Sequence, residues 1–278
     1  MKQCQIGIIG VGFVGGAVRK YFVSRKLKPL LYDKFKRLGS AQEVNRAEIV
    51  FVCVPTPHHE REGFDLSAVK EVIKNLTGHK IVVVKSTILP GTTEALQKEF
   101  PQHKLLFNPE FLREVCAAYD MAHPARQILG VTRKSRGVAK KVMAVLPKAP
   151  CMAIMPSLEA EVIKYMANSF LALRVVFANE FYDICHKLGA DYKLVKDAVV
   201  KDPRIGDSHF DIQHGGYRGF GGSCLPKDVN AILQLAEKMK VDMPLLKIMR
   251  LINRRLLKLS GLSEEHFLLE RHKRPRPR

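Results

Sequence analysis

Gly10-Val11-Gly12-Phe13-Val14-Gly15 follows the apolar run Cys4 to Ile9 and opens a helical stretch, Gly16 to Ser24. This stretch decides the fold of the first half of the chain. Glycines at this spacing, between a strand and a helix, form the dinucleotide fingerprint in its required setting. Gly10 makes the turn, Gly12 leaves room for a pyrophosphate, and Gly15 lets the helix approach the strand. Gly10, Gly12, Phe13, Val14 and Gly15 are therefore candidate cofactor contacts. The next strand, Lys28 to Tyr32, ends in Asp33, whose carboxylate suits an adenosine ribose and favours NAD over NADP; Lys34, Lys36 and Arg37 blunt that preference.

Strand–helix alternation continues outward from this unit. Strands are expected at Ile49 to Val54, Lys80 to Lys85, around Leu105 and Leu106, at Gln127 to Val131 and at Cys151 to Ile154. Between them, Leu66 to Leu76 and Lys134 to Leu146 read as helices. Apolar strands alternating with helices predict a doubly wound parallel sheet covered on both faces, a Rossmann domain over residues 1–155. Ligands of such sheets bind beyond the carboxyl ends of the strands, where Val54, Pro55, Thr56, Ser86, Thr87 and Asn108-Pro109-Glu110 fall.

From Ser157 to Leu188 the chain has no proline or glycine and reads as one long helix capped by Ser157. Glu161, Lys164 and Asn168 share one face of it. The remainder is apolar nearly all round, which predicts burial in the domain or against a second subunit. Helices at Lys193 to Val200, Val229 to Met239 and Leu245 to Leu259 complete an all-helical central or dimerisation domain, 156–259. The basic segment 260–278 reads as disordered.

Between these helices lies Gly219-Phe220-Gly221-Gly222-Ser223-Cys224-Leu225-Pro226-Lys227-Asp228. Pro226 belongs at the first position of the following helix, which leaves Cys224 at its start, where free N–H groups and the helix dipole favour a thiolate. Lys227 and Asp228 follow within one turn, in reach of the sulfur.

Composition sets the bounds. The 278 residues are 46% apolar, with no run long enough to span a bilayer and no room for a signal peptide before the first strand. The six cysteines form no CxxC pair and sit largely in apolar stretches, so they read as reduced, buried thiols of a cytoplasmic protein without a metal site. Net charge is +19, and without the five charges of Arg271 to Arg278 the balance is still 41 basic to 27 acidic residues. Such a charge attracts polyanions, whether phosphorylated substrates or nucleic acid; no nucleic-acid motif accompanies it.

Taken together, these motifs resemble the UDP-glucose/GDP-mannose 6-dehydrogenase family over residues 3 to about 255. Carrying the resemblance, besides the fingerprint, are Cys53 to Pro57, Lys85-Ser86-Thr87 with Pro90-Gly91-Thr92, and Phe107 to Glu114. Ala160-Glu161 with Lys164 and Asn168, Asn179-Glu180, Asp202 to Gly206 and Gly219 to Asp228 complete it. The resemblance implies a two-step, NAD-dependent oxidation of a nucleotide sugar's C6 alcohol to a carboxylate. Cys224 would attack the aldehyde intermediate and carry a thioester. Lys164 and Asn168 would stabilise the oxyanion and position water. Glu110 or Glu114, with Thr87, would activate that water, and Asp228 would handle protons. Glu114, Ser86, Thr87 and Lys227 would face the cofactor. Phe111, Leu112, Arg113, Arg204, Phe220, Gly221 and Gly222 would line the sugar nucleotide, with Arg204 reaching a neighbouring subunit of a homodimer.

Two departures stand out: Val115 replaces a glycine, and the family's second Rossmann-like domain, the lid over the nucleotide, is not in the chain. That leaves three readings. The first is a minimal nucleotide-sugar 6-dehydrogenase. The second is an NAD-binding dimerisation module, or one half of a split enzyme whose lid is a separate chain. The third is a single-hydride hydroxyacid dehydrogenase.

Overall fold

A computed structural model describes residues 4–59, 63–213, 215–264 and 266–267. They fall into two compact units that part between Lys164 and Tyr165.

The first unit is built on one sheet. In chain order its elements are β1 (Ile6–Ile9), α1 (Phe13–Ser24), β2 (Leu30–Asp33), β3 (Leu38–Gly39), α2 (Ala41–Val44), β4 (Ile49–Val52), the hairpin β5 (His58–His59) and β6 (Gly63–Phe64), and α3 (Ser67–Lys74). There follow β7 (Ile81–Val84), α4 (Thr92–Glu99), β8 (Lys104–Phe107), a 3₁₀ turn (Glu114–Cys116), α5 (Ala117–Ala122), β9 (Arg126–Val131), a second 3₁₀ turn (Arg136–Val138), α6 (Ala139–Val145) and β10 (Cys151–Pro156). The strand order is β10-β9-β8-β7-β4-β1-β2-β3. β1 stands between β2 and β4, and the winding of the chain reverses there.

The four-residue strands are apolar on both faces, and alternate residues serve opposite layers. Ile6, Ile8, Ile49, Phe51, Ile81 and Val83 pack with α1 and α6 residues such as Val18, Phe22 and Val142. Val50, Val52, Val82 and Val84 pack with Val44, Val69, Ile73 and Leu96 of α2, α3 and α4. The sheet is not wholly parallel. β9 runs antiparallel to β8, and β3 antiparallel to β2. A strand buried on both faces reads the same in either direction, so the apolar pattern carried no sign of this.

α7 (Ser157–Leu188) starts directly from β10 and has the expected bounds. Ser157 is its first helical residue and not its cap, because the strand runs straight into the helix. Its buried Oγ has no partner among the described residues. The second unit continues with α8 (Tyr192–Val199), α9 (Leu225–Lys238) and α10 (Pro244–Leu259). Its core joins Ala172, Val175 and Val176 of α7 to Phe220, Val229, Leu233, Leu246 and Met249.

The amphipathicity of α7 is inverted. Glu161, Lys164 and Asn168 are buried, while Met166, Phe170, Phe177, Phe181, Ile184 and Leu188 are exposed. The expected cysteine burial is also only partly met. Cys185 is buried, but Cys151 lies exposed on the edge strand and the other four are half-buried at element ends; all six are free thiols. The pattern predicts disorder from residue 260, whereas Glu264 is ion-paired and Phe267 buried. The rest of that segment, from 268, lies outside the described residues. Among the described residues no helix is long and apolar enough to cross a membrane, and no three His, Cys, Asp or Glu side chains are placed to hold a metal ion.

Gly15 shows how tightly the first helix seats. A Cβ there would overlap the Gly10 carbonyl oxygen, with the Cys53 Cβ 3.2 Å away. Gly15→Ala is expected to cost about 1–3 kcal/mol of stability. An unchanged urea midpoint in that variant would contradict this packing.

Candidate active site

The glycine loop is built to receive a dinucleotide. Gly10 takes φ +83°, a region open to glycine, and its N–H donates to the Tyr32 carbonyl at 2.9 Å. Gly12 and Phe13 are exposed, and a Cβ on Gly12 would meet nothing within 4 Å, so a ligand has room to approach the backbone. The first turn of α1 has neither an acidic residue nor a side-chain cap, which leaves its N–H groups and dipole for an anion. Asp33 supports the loop as well as facing it: Oδ2 accepts the Val11 N–H at 2.8 Å, and Oδ1 accepts from Phe35 and Lys36 N–H at 3.0 and 2.9 Å. Of a carboxylate's roughly four lone-pair sites, one remains for a ribose hydroxyl. Lys36, read from the sequence as a charge opposing NAD, instead donates to the Val11 carbonyl at 2.6 Å. The residues fit a dinucleotide.

Side chains at the carboxyl edge tie neighbouring loops together. Ser86 Oγ donates to the Val54 carbonyl at 2.7 Å, and Thr56 Oγ1 to the Thr87 carbonyl at 2.7 Å. The loops holding Val54, Pro55, Thr56, Ser86 and Thr87 are therefore one hydrogen-bonded shelf.

Beside it lies a buried array of charge. Lys164 Nζ donates to Glu110 Oε1 at 2.8 Å and to the Glu110 carbonyl at 2.6 Å. Glu110 Oε2 accepts the Leu112 N–H at 2.9 Å. Burial alone would push the Glu110 carboxyl up, but the Lys164 ammonium, that N–H and Lys85 hold it below the ordinary range. Lys85 Nζ donates to Asn108 Oδ1 at 2.6 Å, and burial brings its ammonium down to about 8. Asn108 Nδ2 in turn donates to the Ile128 carbonyl at 2.6 Å and Gln127 Oε1 at 2.8 Å. Burial raises the Cys53 thiol to about 12, which keeps it protonated.

Glu161, read from the sequence only as part of a polar face, is a remote helix cap. It accepts the Gly91 N–H at 2.6 Å, the Thr93 N–H at 2.8 Å and the Thr93 hydroxyl at 2.6 Å, at the start of α4. Burial nonetheless raises its carboxyl. It stands one turn before Lys164 on α7. Its partners are some seventy positions away in sequence, which is why no local pattern revealed it.

The other predicted residues of this unit sit around Glu110. Arg126 stacks 3.9 Å over the Phe111 ring, and Leu112 is half-buried. Arg113 forks onto both oxygens of Asp120 at 2.7 and 3.0 Å. Glu114 and Val115 are exposed, so the two candidate bases differ: Glu110 is buried and ion-paired, Glu114 faces solvent.

In the second unit, α9 begins four residues before the expected Val229, and Cys224 is its N-cap, with Pro226 in the first turn. Ser223 Oγ lies 3.6 Å from the Cys224 sulfur. Lys227 Nζ donates to Asp228 Oδ1 at 2.6 Å and Asn168 Nδ2 to Asp228 Oδ2 at 2.6 Å. Asp228, 1% exposed, is thus held between a cation and an amide. Phe220 is buried in the core, with its N–H and carbonyl bonded to the Asn253 amide at 2.7 and 2.9 Å. Gly221 and Gly222 lie between it and Cys224. Arg204 pairs with Asp202 in its own loop.

A glycine loop at the carboxyl edge of a doubly wound sheet defines a dinucleotide-binding fold. Residues 31–146 match the NAD-binding domain of the UDP-glucose/GDP-mannose dehydrogenase family and residues 158–255 its central domain. The chain belongs to that family, and the dinucleotide is NAD. It is 36% identical over 224 residues to a UDP-glucose 6-dehydrogenase of Rickettsia prowazekii, covering 77% of this chain and 50% of that one. A putative UDP-glucose 6-dehydrogenase of Bacillus subtilis is 35% identical over 245 residues, 81% and 56% of the two chains. The structure of a UDP-glucose dehydrogenase from Pyrobaculum islandicum superposes with TM-score 0.80 at 29% identity, over 90% of this chain and 68% of that one. The chain spans about half the length of the curated relatives it matches.

Removing one partner of a buried ion pair strands the other. Lys164→Met is expected to cost about 3–5 kcal/mol at neutral pH. Without the ammonium, burial raises the Glu110 carboxyl, so the folded chain takes up a proton before the unfolded one does and the deficit shrinks as pH falls. Lys164→Met with Glu110→Leu is expected to recover most of the loss. Urea midpoints of the single and double variants across pH 5 to 8 check this; equal deficits at all pH values would contradict it.

Proposed function

We propose that the chain works as an NAD-dependent nucleotide-sugar 6-dehydrogenase, oxidising a C6 alcohol to a carboxylate through a covalent adduct on Cys224. The observation that carries this reading is the Cys224 loop. Cys224 stands at the N-cap position of α9, and within the first turn a buried Asp228 is shared between Lys227 and Asn168. A structural cysteine has no need of such an arrangement.

Bound NAD supplies the hydride acceptor, one molecule for each oxidation. Gly10, Gly12, Phe13, Val14, Gly15 and Asp33 hold it, with Val54 to Thr56, Ser86, Thr87, Glu114 and Lys227 as further contacts. The chain's residues do the rest. The helix dipole favours the Cys224 thiolate, which adds to the aldehyde carbon and makes a thiohemiacetal. Oxidation of that adduct leaves a thioester, and water cleaves it to the acid and free thiol. Lys164 and Asn168 stabilise the oxyanion of each tetrahedral species. Glu110 or Glu114, assisted by Thr87, takes the proton of the attacking water and passes it on to the departing sulfur, and Asp228 assists in that proton handling. Phe111, Leu112, Arg113, Arg204 and Gly222 contact the sugar nucleotide, and the buried Phe220, together with Gly221, shapes the loop that presents Gly222.

In this reading residues 1–155 bind cofactor and 156–259 carry the thiol and pair two copies. The exposed apolar stripe of α7 supports the homodimer, since such a face gains by burial against its own copy. The free thiols suit a cytoplasmic setting.

Cys224→Ser is expected to yield no acid from any nucleotide sugar, since an alkoxide forms no thioester. Asp228→Asn is expected to lower kcat by roughly 10²–10⁴-fold. Product analysis checks both. Undiminished acid from Cys224→Ser would overturn the covalent route, and NAD binding without acid from any nucleotide sugar would favour a binding module.

A further inference from the structure

The loop that delivers Cys224 is poor in side chains, and the end of the described chain fills the space beside it. A Cβ on Gly221 would overlap the Phe267 ring and come within 2.6 Å of the Tyr217 hydroxyl. Phe267 is 8% exposed and its ring centroid lies 4.9 Å from that of Tyr217. The approach to Phe267 is itself anchored. Glu264 accepts from Arg254 Nε and Nη2 at 3.2 and 3.1 Å, and Ser260 Oγ accepts the Arg218 N–H at 3.2 Å. The Asn253 amide clamps Phe220, so the loop is pinned on one side of Gly221 by α10 and covered at Gly221 by Phe267.

A phenyl ring packed into the gap left by a missing Cβ excludes water from the backbone there and resists opening of the loop. We propose that Phe267 acts as a strap that holds the Gly219 to Ser223 loop closed and so, as a positioning residue, sets the presentation of Cys224. Its catalytic consequence rests on the proposed role of Cys224. The strap itself is a claim about access to the thiol and is tested without turnover.

The experiment is alkylation of the full chain by iodoacetamide, with the rate at each cysteine read by peptide mass. Cys151, exposed, and Cys185, buried, serve as internal references. Phe267→Ala is expected to raise the Cys224 rate about tenfold, equivalent to roughly 1.4 kcal/mol of local protection, with both references unchanged. Phe267→Leu, which keeps most of the apolar volume, should fall between that variant and the native chain. Gly221→Ala should match Phe267→Ala, and the two together should add nothing further, because both break the same contact. An unchanged Cys224 rate in Phe267→Ala overturns the strap. So does a parallel rise at Cys185, which would show that Phe267 stabilises the helical unit as a whole. If the chain oxidises no nucleotide sugar, the alkylation rates still decide the strap.

Discussion

A lysine ammonium taken out of water either gains a counter-charge or holds its proton less tightly, and Lys164 takes the first course with Glu110 at 2.8 Å. Much of the first unit follows from this pair. Glu110 sits in the turn after β8, so holding its carboxylate fixes that turn. Asn108 extends the same lock to β9 and to Lys85. Glu161, one turn before Lys164 on α7, caps α4 and so fixes the far end of the loop that carries Ser86 and Thr87. Five polar side chains, Lys164, Glu110, Asn108, Lys85 and Glu161, thus align the carboxyl-edge loops, where a doubly wound sheet presents its ligands.

The second unit repeats the logic around Asp228. Its carboxylate accepts from Lys227 on one oxygen and Asn168 on the other, and Cys224 stands at the head of the same helix. Lys164 and Asn168 are one turn apart on α7, and each donates to a buried carboxylate. The side of α7 turned to solvent carries instead Met166, Phe170, Phe177 and Phe181.

What the sequence revealed and what it hid divide along a physical line. Interactions encoded locally were legible: the Gly10 turn, the alternating strands, the bounds of α7, and Cys224 at the start of α9, although that helix begins earlier than the apolar pattern shows. Interactions that depend on tertiary neighbours were not. Nothing near Glu161 in sequence points to Gly91 or Thr93. The direction of β9 leaves no mark in a strand buried on both faces. The segment from residue 260 reads as a basic, disordered tail because Arg271 to Arg278 is nearly all basic residues and proline. Only the missing Cβ of Gly221 gives Phe267 a place to pack. The difference between Glu110 and Glu114 was hidden for the same reason, since only the fold buries one and exposes the other.

The count of NADH formed per sugar consumed tests the proposed thiol-linked double oxidation most directly. Purified chain supplied with a panel of nucleotide sugars is expected to form two NADH for each molecule of the preferred sugar, with the free acid as the product. One NADH per sugar, with the aldehyde as the end product, would contradict it.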